Sequence, residues 1–134
     1  MTTEIIYEGQ LRCNLEHSFS GTKIITDAPL DNHGKGESFS PTDLIAAAAG
    51  SCMLTIMGIG EKIHGYSIEG TRVTVQKVMS DSPRRISGLV VEIFFPQGNN
   101  YNDKQKKILE NIAYTCPVMI SIHPDIEKTI TFHY

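Results

Sequence analysis

The longest uncharged stretch of the chain covers residues 44–59, where sixteen consecutive positions carry no acidic or basic side chain. Ser40 and Pro41 precede it, and they offer a hydroxyl that can cap free N–H groups and a φ angle suited to the first helical turn. Asp43 adds a carboxylate in that turn, where the helix dipole favours negative charge. Residues 36–62 therefore predict one long central helix around which the rest of the chain is organised.

Apolar residues occur on every side of this predicted helix, so we expect it to be buried all round. Its sixteen uncharged residues fall short of the roughly 20 that a helix needs to cross a bilayer. Four alanines, together with Gly50, Gly58 and Gly60, also dilute its hydrophobicity. We therefore predict a packed central helix of a soluble protein and no membrane partner.

Shorter stretches of alternating apolar and polar residues predict β-strands on both sides of the helix. The predicted strand segments are Glu4–Cys13, His17–Asp27 with a turn at Ser20–Gly21, Tyr66–Met79, Arg84–Phe95 and Ile126–Tyr134. The first two are expected to form one hairpin, and the next two an antiparallel hairpin in which Gly88 marks a bulge. Residues 29–40 are rich in Gly, Asn, Asp and Ser, which is typical of a loop, and a long loop in a small domain is often functional.

Two more helices are predicted near the C-terminus. Residues 103–114 place apolar side chains on one face and charged side chains on the other, with Asn102 or Asp103 as the cap. Pro117 interrupts this helix and can begin a short one over residues 118–122. The resulting order of elements is β-β-α-β-β-α-α-β.

This order predicts a single α+β domain over residues 1–134, built on antiparallel sheet. A domain of this size struggles to enclose a helix that is apolar on every side. A dimer in which two such helices lie between two sheets would bury them, so we also predict an obligate homodimer.

The overall composition is that of an ordinary soluble protein, with 40% hydrophobic and 20% charged residues and a net charge of -3. No long basic run is present, which argues against nucleic acid or an anionic membrane as a partner. The N-terminal segment has no basic stretch followed by an apolar one, so we expect a cytoplasmic protein. The five histidines are scattered, and their spacing does not indicate a zinc site.

The chain has three cysteines, Cys13, Cys52 and Cys116, and this odd number argues against a framework of structural disulfides. Cys52 lies in the middle of the central helix, where a thiol is either a small buried hydrophobe or a nucleophile served by a cation from elsewhere in the fold. Cys116 precedes Pro117, so it is either a poor helix cap or a thiol whose ionisation the free N–H groups favour. Cys13, beside Arg12 on a predicted strand, is interpreted as structural.

Two cysteines can reduce a peroxide when one thiolate attacks the O–O bond and the other thiol condenses with the resulting sulfenic acid. A dithiol reductant then reopens the disulfide. The reaction needs a cation beside the attacking sulfur, and sequence spacing does not choose among the four arginines, Arg12, Arg72, Arg84 and Arg85.

Two segments carry a resemblance to a known family: SPTDLIAAAAGSC, which ends at Cys52, and CPV, which begins at Cys116. Together they resemble the OsmC/Ohr family, the osmotically inducible and organic hydroperoxide resistance proteins. The segments TDAPLDNHGKGESFSPTDL and CMLTIMGIGEK are similar to one OsmC-like subgroup. The resemblance covers essentially the whole chain. It implies the OsmC-like fold, in which antiparallel sheets wrap around long central helices in an intertwined homodimer with two active sites at the subunit interface.

The resemblance also implies roles for individual residues: Cys52 as the attacking thiol, Cys116 as the resolving thiol and Arg12 as the cation that holds the thiolate. The match of Arg12 is one of position before the central helix and not of a motif. In the hydroperoxide-resistance branch a glutamate follows the proline of the central helix and pairs with the arginine, whereas this chain has Thr42 there. Glu37, in the preceding loop, is the candidate to reach the arginine instead, and the alternative is that it is a solvated loop charge. The missing glutamate puts efficient turnover of organic hydroperoxides in question.

We therefore predict a thiol-dependent peroxidase that acts on organic hydroperoxides through an attacking and a resolving cysteine. Its partners would be the hydroperoxide and a dithiol reductant such as a lipoyl-protein, thioredoxin or a small thiol, and the cycle requires no metal, flavin or haem. Two alternatives stay open. The chain is then either a non-catalytic module that binds a hydrophobic ligand or a redox-sensing protein, with cysteines that are buried.

Overall fold

The computed structural model describes all 134 residues, which form two compact units, Met1–Ile45 and Ala46–Tyr134. Strands and helices are mixed along the chain, and the α+β class is confirmed. The single domain over residues 1–134 stays a prediction. The elements are β1 (Thr3–Gly9), β2 (Arg12–His17), β3 (Lys23–Asp27), a 3-10 turn (Leu30–Asn32), α1 (Pro41–His64), β4 (Arg72–Asp81), β5 (Arg84–Phe94), α2 (Asp103–Thr115), α3 (Pro117–Ser121) and β6 (Glu127–His133).

The first unit contains a three-stranded antiparallel sheet in the order β1-β2-β3. The prediction of one strand over residues 4–13 is wrong, because the chain reverses direction at residues 9–11 and makes two strands of it. Gly9, Gln10 and Leu11 all have positive φ angles, of 90°, 52° and 62°. Only the glycine is a residue that adopts such angles readily, so the turn has a weak signal in the sequence.

The start of α1 agrees with its sequence signals. The Ser40 hydroxyl accepts a hydrogen bond from the Asp43 backbone N–H at 3.1 Å, and the Asp43 carboxylate accepts one from the Ser40 N–H at 2.8 Å. This reciprocal cap satisfies two backbone donors that a helix otherwise leaves free. It places the helix start at the position that the Ser-Pro pair predicts.

The prediction that α1 is buried on every side is wrong for the chain by itself. One stripe is buried, and Ile45, Ile59 and Ile63 on other sides are exposed, Ile63 to 76%. The helix α1 is long enough and apolar enough to cross a membrane, and 33% of its most apolar stretch of 18 residues is buried. The core helix of a soluble protein can have the same length and the same hydropathy. The buried residues of α1 are Ala46, Ala49, Gly50, Met53, Met57 and Gly60.

The second unit contains a sheet in the order β4-β5-β6. Strands β4 and β5 form the predicted antiparallel hairpin, and Ser87 is the extra residue of a bulge, next to the predicted position Gly88. Strand β6 pairs with β5 in parallel, which the prediction of antiparallel sheet did not anticipate. A parallel pair needs a long crossover connection, and here α2 and α3 carry the chain back to the same end of the sheet.

The core of the second unit lies between this sheet and the helices. Gly50 of α1 lies against β4, where a Cβ atom would come within 3.0 Å of Val75 Cγ2. Asn102 caps α2, as predicted, and exchanges hydrogen bonds with Gln105. Fully buried side chains come from every layer: Met53, Met57, Leu89, Val91, Ile93, Leu109 and Met119.

Candidate active site

Arg12 is held in the first unit by a carboxylate on the neighbouring strand. Arg12 and Asp27 lie directly opposite each other on β2 and β3. The guanidinium donates from Nε to Asp27 Oδ1 at 2.7 Å and from Nη2 to Asp27 Oδ2 at 2.8 Å. The Asp27 side chain is only 1% exposed and that of Arg12 25%. This two-pronged contact fixes the orientation of the guanidinium plane.

Glu37 is the second partner of Arg12. Its carboxylate oxygen Oε2 accepts a hydrogen bond from Arg12 Nη2 at 2.7 Å, and its backbone N–H donates to Asp27 Oδ2 at 3.2 Å. Thr42, at the position of the family's glutamate, has its hydroxyl 3.1 Å from Ser40 Oγ. Glu37 therefore makes the arginine contact that its place in the loop led us to expect, and its role in a reaction stays a prediction.

These contacts set the charge of the cluster. The hydrogen bonds from Arg12 hold the pKa of Asp27 below its usual range, against the opposing effect of desolvation. Hydrogen bonds to Asp27 and then Glu37 raise the pKa of Arg12. One cation thus lies between two carboxylates, and the exposed one, Glu37 at 62%, is the partner that solvent can replace more easily.

Asp27 is a residue of this cluster that the sequence predictions missed. The predicted turn at Ser20–Gly21 did not indicate it, because pairing outward from that turn would bring Arg12 opposite Pro29, whereas the observed register pairs Arg12 with Asp27. A buried carboxylate directly across a strand pair from an arginine is a strong indication of an ion pair.

The second unit brings the other two candidates, Cys52 and Cys116, together. Cys52 packs against the buried core cluster that contains Cys116. Burial raises the pKa of Cys116, and the neighbouring Cys52 thiol raises it further. Cys52 is partly buried in α1 and packs against the apolar core, whereas Cys116 is 1% exposed. Both are free thiols, as is Cys13. The structure therefore pairs two cysteines that lie 64 positions apart in the sequence.

Cys116 occupies the junction of two helices. It has an extended backbone conformation with φ −61° and ψ 151°, and Pro117 begins α3 immediately after it. Burial raises the pKa of this thiol, and the backbone N–H groups of Met119 and Val118 lower it by a smaller amount. The role of Cys116 stays a prediction.

Cys13 lies on β2 between Tyr7 and Thr26 of the flanking strands. Cys13 is partly buried. No group of three or more His, Cys, Asp or Glu side chains in the chain is arranged to hold a metal ion. The structural interpretation of Cys13 stays a prediction.

Comparison with known proteins identifies the family. A family model described as OsmC-like protein matches residues 34–131. The chain belongs to the OsmC-like protein family. The matched range contains Glu37, Cys52 and Cys116. No curated protein matches the chain.

Solved structures of OsmC-like proteins share the fold. A protein of Psychrobacter arcticus, whose name assigns it to the osmotic stress induced and detoxification response, is 48% identical over 99% of this chain and 96% of its own, with a TM-score of 0.93. The organic hydroperoxide resistance protein OsmC of Legionella pneumophila is 17% identical over 100% and 98%, with a TM-score of 0.78. An organic hydroperoxide resistance protein of Elizabethkingia anophelis is 15% identical over 99% and 96%, with a TM-score of 0.71. The last two likenesses concern the fold alone.

Proposed function

We propose that this OsmC-like chain is a thiol-dependent peroxidase that reduces organic hydroperoxides. The observation that carries the proposal is the proximity of the two thiols, since Cys52 packs against the buried core cluster that contains Cys116 and affects its pKa. A disulfide requires Cα atoms within about 7 Å and side chains that face each other. Family membership and the names of two structural neighbours, which are organic hydroperoxide resistance proteins, support the same class of substrate.

The proposed cycle begins at Cys52. Its thiolate attacks one peroxide oxygen, the O–O bond breaks, and the departing alkoxide takes a proton and leaves as an alcohol. The sulfur now carries a hydroxyl group as a sulfenic acid. The Cys116 sulfur then attacks Cys52, an S–S bond forms, the S–O bond breaks, and the hydroxyl leaves as water with the proton from Cys116.

The disulfide must be reduced for the next turnover. A cellular dithiol, either a lipoyl-protein, thioredoxin or a small thiol, supplies two electrons and two protons and is itself oxidised to a disulfide. This cycle uses no metal or organic cofactor.

Arg12 and Glu37 keep the roles that the family resemblance implies. In the proposal, Arg12 is the cation that favours the attacking thiolate, and Glu37 orients it. Support for a defined role is that Arg12 has a fixed direction in its own unit, with Asp27 as a buried anchor. An exposed surface arginine would not have such an anchor.

We further propose that the protein is a cytoplasmic homodimer with one OsmC-like domain in each chain. Support comes from apolar side chains that the chain by itself leaves in solvent. In the first unit Ile5, Tyr7 and Ile24 of the sheet are 56%, 63% and 48% exposed, and on α1 Ile59 and Ile63 are 65% and 76% exposed. Patches of this kind normally become buried in an interface.

The test uses one equivalent of cumene hydroperoxide on the reduced protein, followed by alkylation and mapping of the cysteines by mass spectrometry. The proposal predicts a Cys52–Cys116 disulfide and consumption of the peroxide. Cys52→Ser should abolish both, whereas the matched variant Cys13→Ser should leave both intact. Unconsumed peroxide with Cys52 and Cys116 still alkylated as free thiols would refute the proposal and favour a module with buried, unreactive cysteines.

A further inference from the structure

We propose that Lys128 is a positioning residue for Cys116: its ammonium group ties α3 to the sheet, and through α3 it holds the Cys116 backbone in place for the attack on oxidised Cys52. This inference rests on the proposed function, because it concerns the step in which Cys116 resolves the sulfenic acid. Two hydrogen bonds carry it, and they link Lys128 to the Cys116 backbone through a single peptide group of α3.

Lys128 occupies an unusual place for a charged residue, because it lies on the core-facing side of β6. Side chains alternate along a strand, so Lys128 shares its side with Ile130 and Phe132, which both pack against the core. It is paired with Leu89 of β5, which is fully buried. A lysine seldom enters such a row unless its ammonium group has a partner. Its stem can cover apolar surface while the ammonium group reaches a polar atom beyond it.

The partner of Lys128 is the end of α3. Lys128 Nζ donates a hydrogen bond to the Met119 carbonyl oxygen at 3.1 Å, in a partly buried setting. This carbonyl lies in the last turn of α3, which ends at Ser121, and Ile122 after it has an extended backbone. Carbonyl groups in the last turn of a helix lack partners within the helix, and a cation there also interacts favourably with the helix dipole. Lys128 therefore satisfies an acceptor that this short helix would leave free.

The same peptide group of α3 reaches back to Cys116. The carbonyl of Met119 and the N–H of Ile120 belong to one planar unit, and this N–H donates to the Cys116 carbonyl oxygen at 3.1 Å. A chain of two hydrogen bonds thus connects the Lys128 ammonium group to the Cys116 backbone. Because a charged donor polarises the peptide group, it strengthens the hydrogen bond at the other end. Removal of the ammonium group should therefore loosen the turn that holds Cys116.

The position of Cys116 matters most in the second half of the proposed cycle. There the Cys116 sulfur attacks the Cys52 sulfenic acid, the S–S bond forms, the S–O bond breaks, and the hydroxyl leaves as water with the Cys116 proton. A second hydroperoxide molecule competes with this step, because it can oxidise the sulfenic acid to a sulfinic acid and leave as an alcohol. Lys128 should therefore affect the formation of the disulfide and not the attack of Cys52 on the first peroxide.

The experiment measures the two steps separately. Lys128→Met keeps an apolar stem but has no donor, and Lys128→Arg restores a charged donor. Lys107→Met, on the exposed side of α2, is the matched control. Each reduced protein, in a Cys13→Ser background, receives one equivalent of cumene hydroperoxide and is quenched at successive times with dimedone, which traps sulfenic acid, and with an alkylating agent. Mass spectrometry then gives the rate of Cys52 oxidation and the rate of disulfide formation.

In Lys128→Met, Cys52 should be oxidised at the wild-type rate, whereas the Cys52–Cys116 disulfide should form about tenfold more slowly. Excess peroxide should then convert more Cys52 to the sulfinic acid. Lys128→Arg and Lys107→Met should behave like wild type. A role in stability alone would not separate the two steps, and thermal unfolding shows whether each variant is folded. Equal rates of disulfide formation in wild type and Lys128→Met would overturn the inference, while consumption of peroxide by wild type would leave the proposed function standing.

Two further measurements cover the cases in which this comparison fails. If Lys128→Met does not fold, Lys128→Thr is used with the same expectation, because threonine suits a strand and is too short to reach α3. If wild type does not consume peroxide, the fraction of Cys52–Cys116 disulfide is measured in mixtures of reduced and oxidised dithiothreitol. A disulfide about tenfold less stable in Lys128→Met than in wild type would support the role of Lys128 and refute only the peroxidase. Equal disulfide stability, or no disulfide in either protein, would overturn the inference.

Discussion

The arginine cluster of the first unit stabilises the charged form of its side chains, whereas the surroundings of the cysteine pair in the second unit favour the neutral form of Cys116. Arg12, Asp27 and Glu37 are charged groups that satisfy one another through hydrogen bonds of 2.7–2.8 Å. Cys116 lies in apolar surroundings that suppress its charge, and burial raises its pKa. The pKa of Asp27 is lowered. Pairing stabilises charge in one place, and desolvation opposes it in the other.

The two regions also differ in how the chain assembles them. Arg12 and Asp27 meet through the register of one hairpin, 15 residues apart. Cys52 and Cys116 meet only because α1, α2 and α3 pack on a common core. A substitution in the core should therefore disturb the cysteine pair most, and a loss of charge should disturb the arginine cluster most.

The largest effect on stability is expected from Met119→Ala. Met119 is fully buried in α3 and its backbone N–H faces the Cys116 sulfur. Loss of its side chain leaves a cavity and should lower the free energy of unfolding by about 2–4 kcal/mol, measured by urea denaturation. Lys104→Ala, on the exposed side of α2, is the control and should stay within about 0.5 kcal/mol of wild type. Equal changes in the free energy of unfolding of the two variants would show that the packing of Met119 does not stabilise the core around Cys116.

The next effect is expected from Asp27→Asn, which leaves the Arg12 guanidinium without its buried anion. The thermal transition at neutral pH should fall by several degrees. Because the pKa of Asp27 is lower in the folded protein than its ordinary 3.8, its contribution is fully present above that pH and is lost as the pH falls through the folded-state value. Wild type should therefore lose stability in acid more steeply than Asp27→Asn. If the stability of the two proteins fell equally steeply with decreasing pH, the result would contradict the ion pair.

The cysteine pair should govern the opposite end of the pH profile. The pKa of Cys116 is raised above the ordinary thiol value of 9.0, so its contribution to stability is present below that pH and is lost as the pH rises through the folded-state value. Cys116→Val, which cannot ionise, should lose less stability than wild type above pH 9. The loss of stability of each protein is measured by thermal unfolding across the alkaline range. If wild type and Cys116→Val lost the same stability with rising pH, the result would argue against a buried Cys116 thiol.

The smallest effect on stability is expected from Glu37→Gln. Glu37 is 62% exposed, and exposed ion pairs contribute little. The thermal transition should move by no more than about one or two degrees, far less than in Asp27→Asn. A shift as large as that of Asp27→Asn would mean that the two carboxylates anchor Arg12 equally.

Local signals in the sequence predicted much of the fold. The Ser40 cap, the central helix, the Asn102 cap and the hairpin of β4 and β5 depend on neighbouring residues, and each is confirmed. The reversal between β1 and β2 escaped prediction because Gln10 and Leu11 are not turn residues, although they adopt left-handed angles. The Arg12–Asp27 pair escaped prediction because the observed register of the hairpin differs by two residues from the register that a turn at Ser20–Gly21 gives.

The sequence by itself determined where the helices begin, which residues alternate along the strands, and which cysteines are candidates for chemistry, because these depend on residue type and short spacing; the choice of Arg12 among the four arginines came from the family resemblance. Only the tertiary structure decided that β6 runs parallel to β5, that Cys52 and Cys116 lie in the same core, and that burial raises the pKa of Cys116 more than the backbone N–H groups lower it. The physical reason is that desolvation and contact between distant elements depend on how whole layers pack, and no short segment of sequence contains that information.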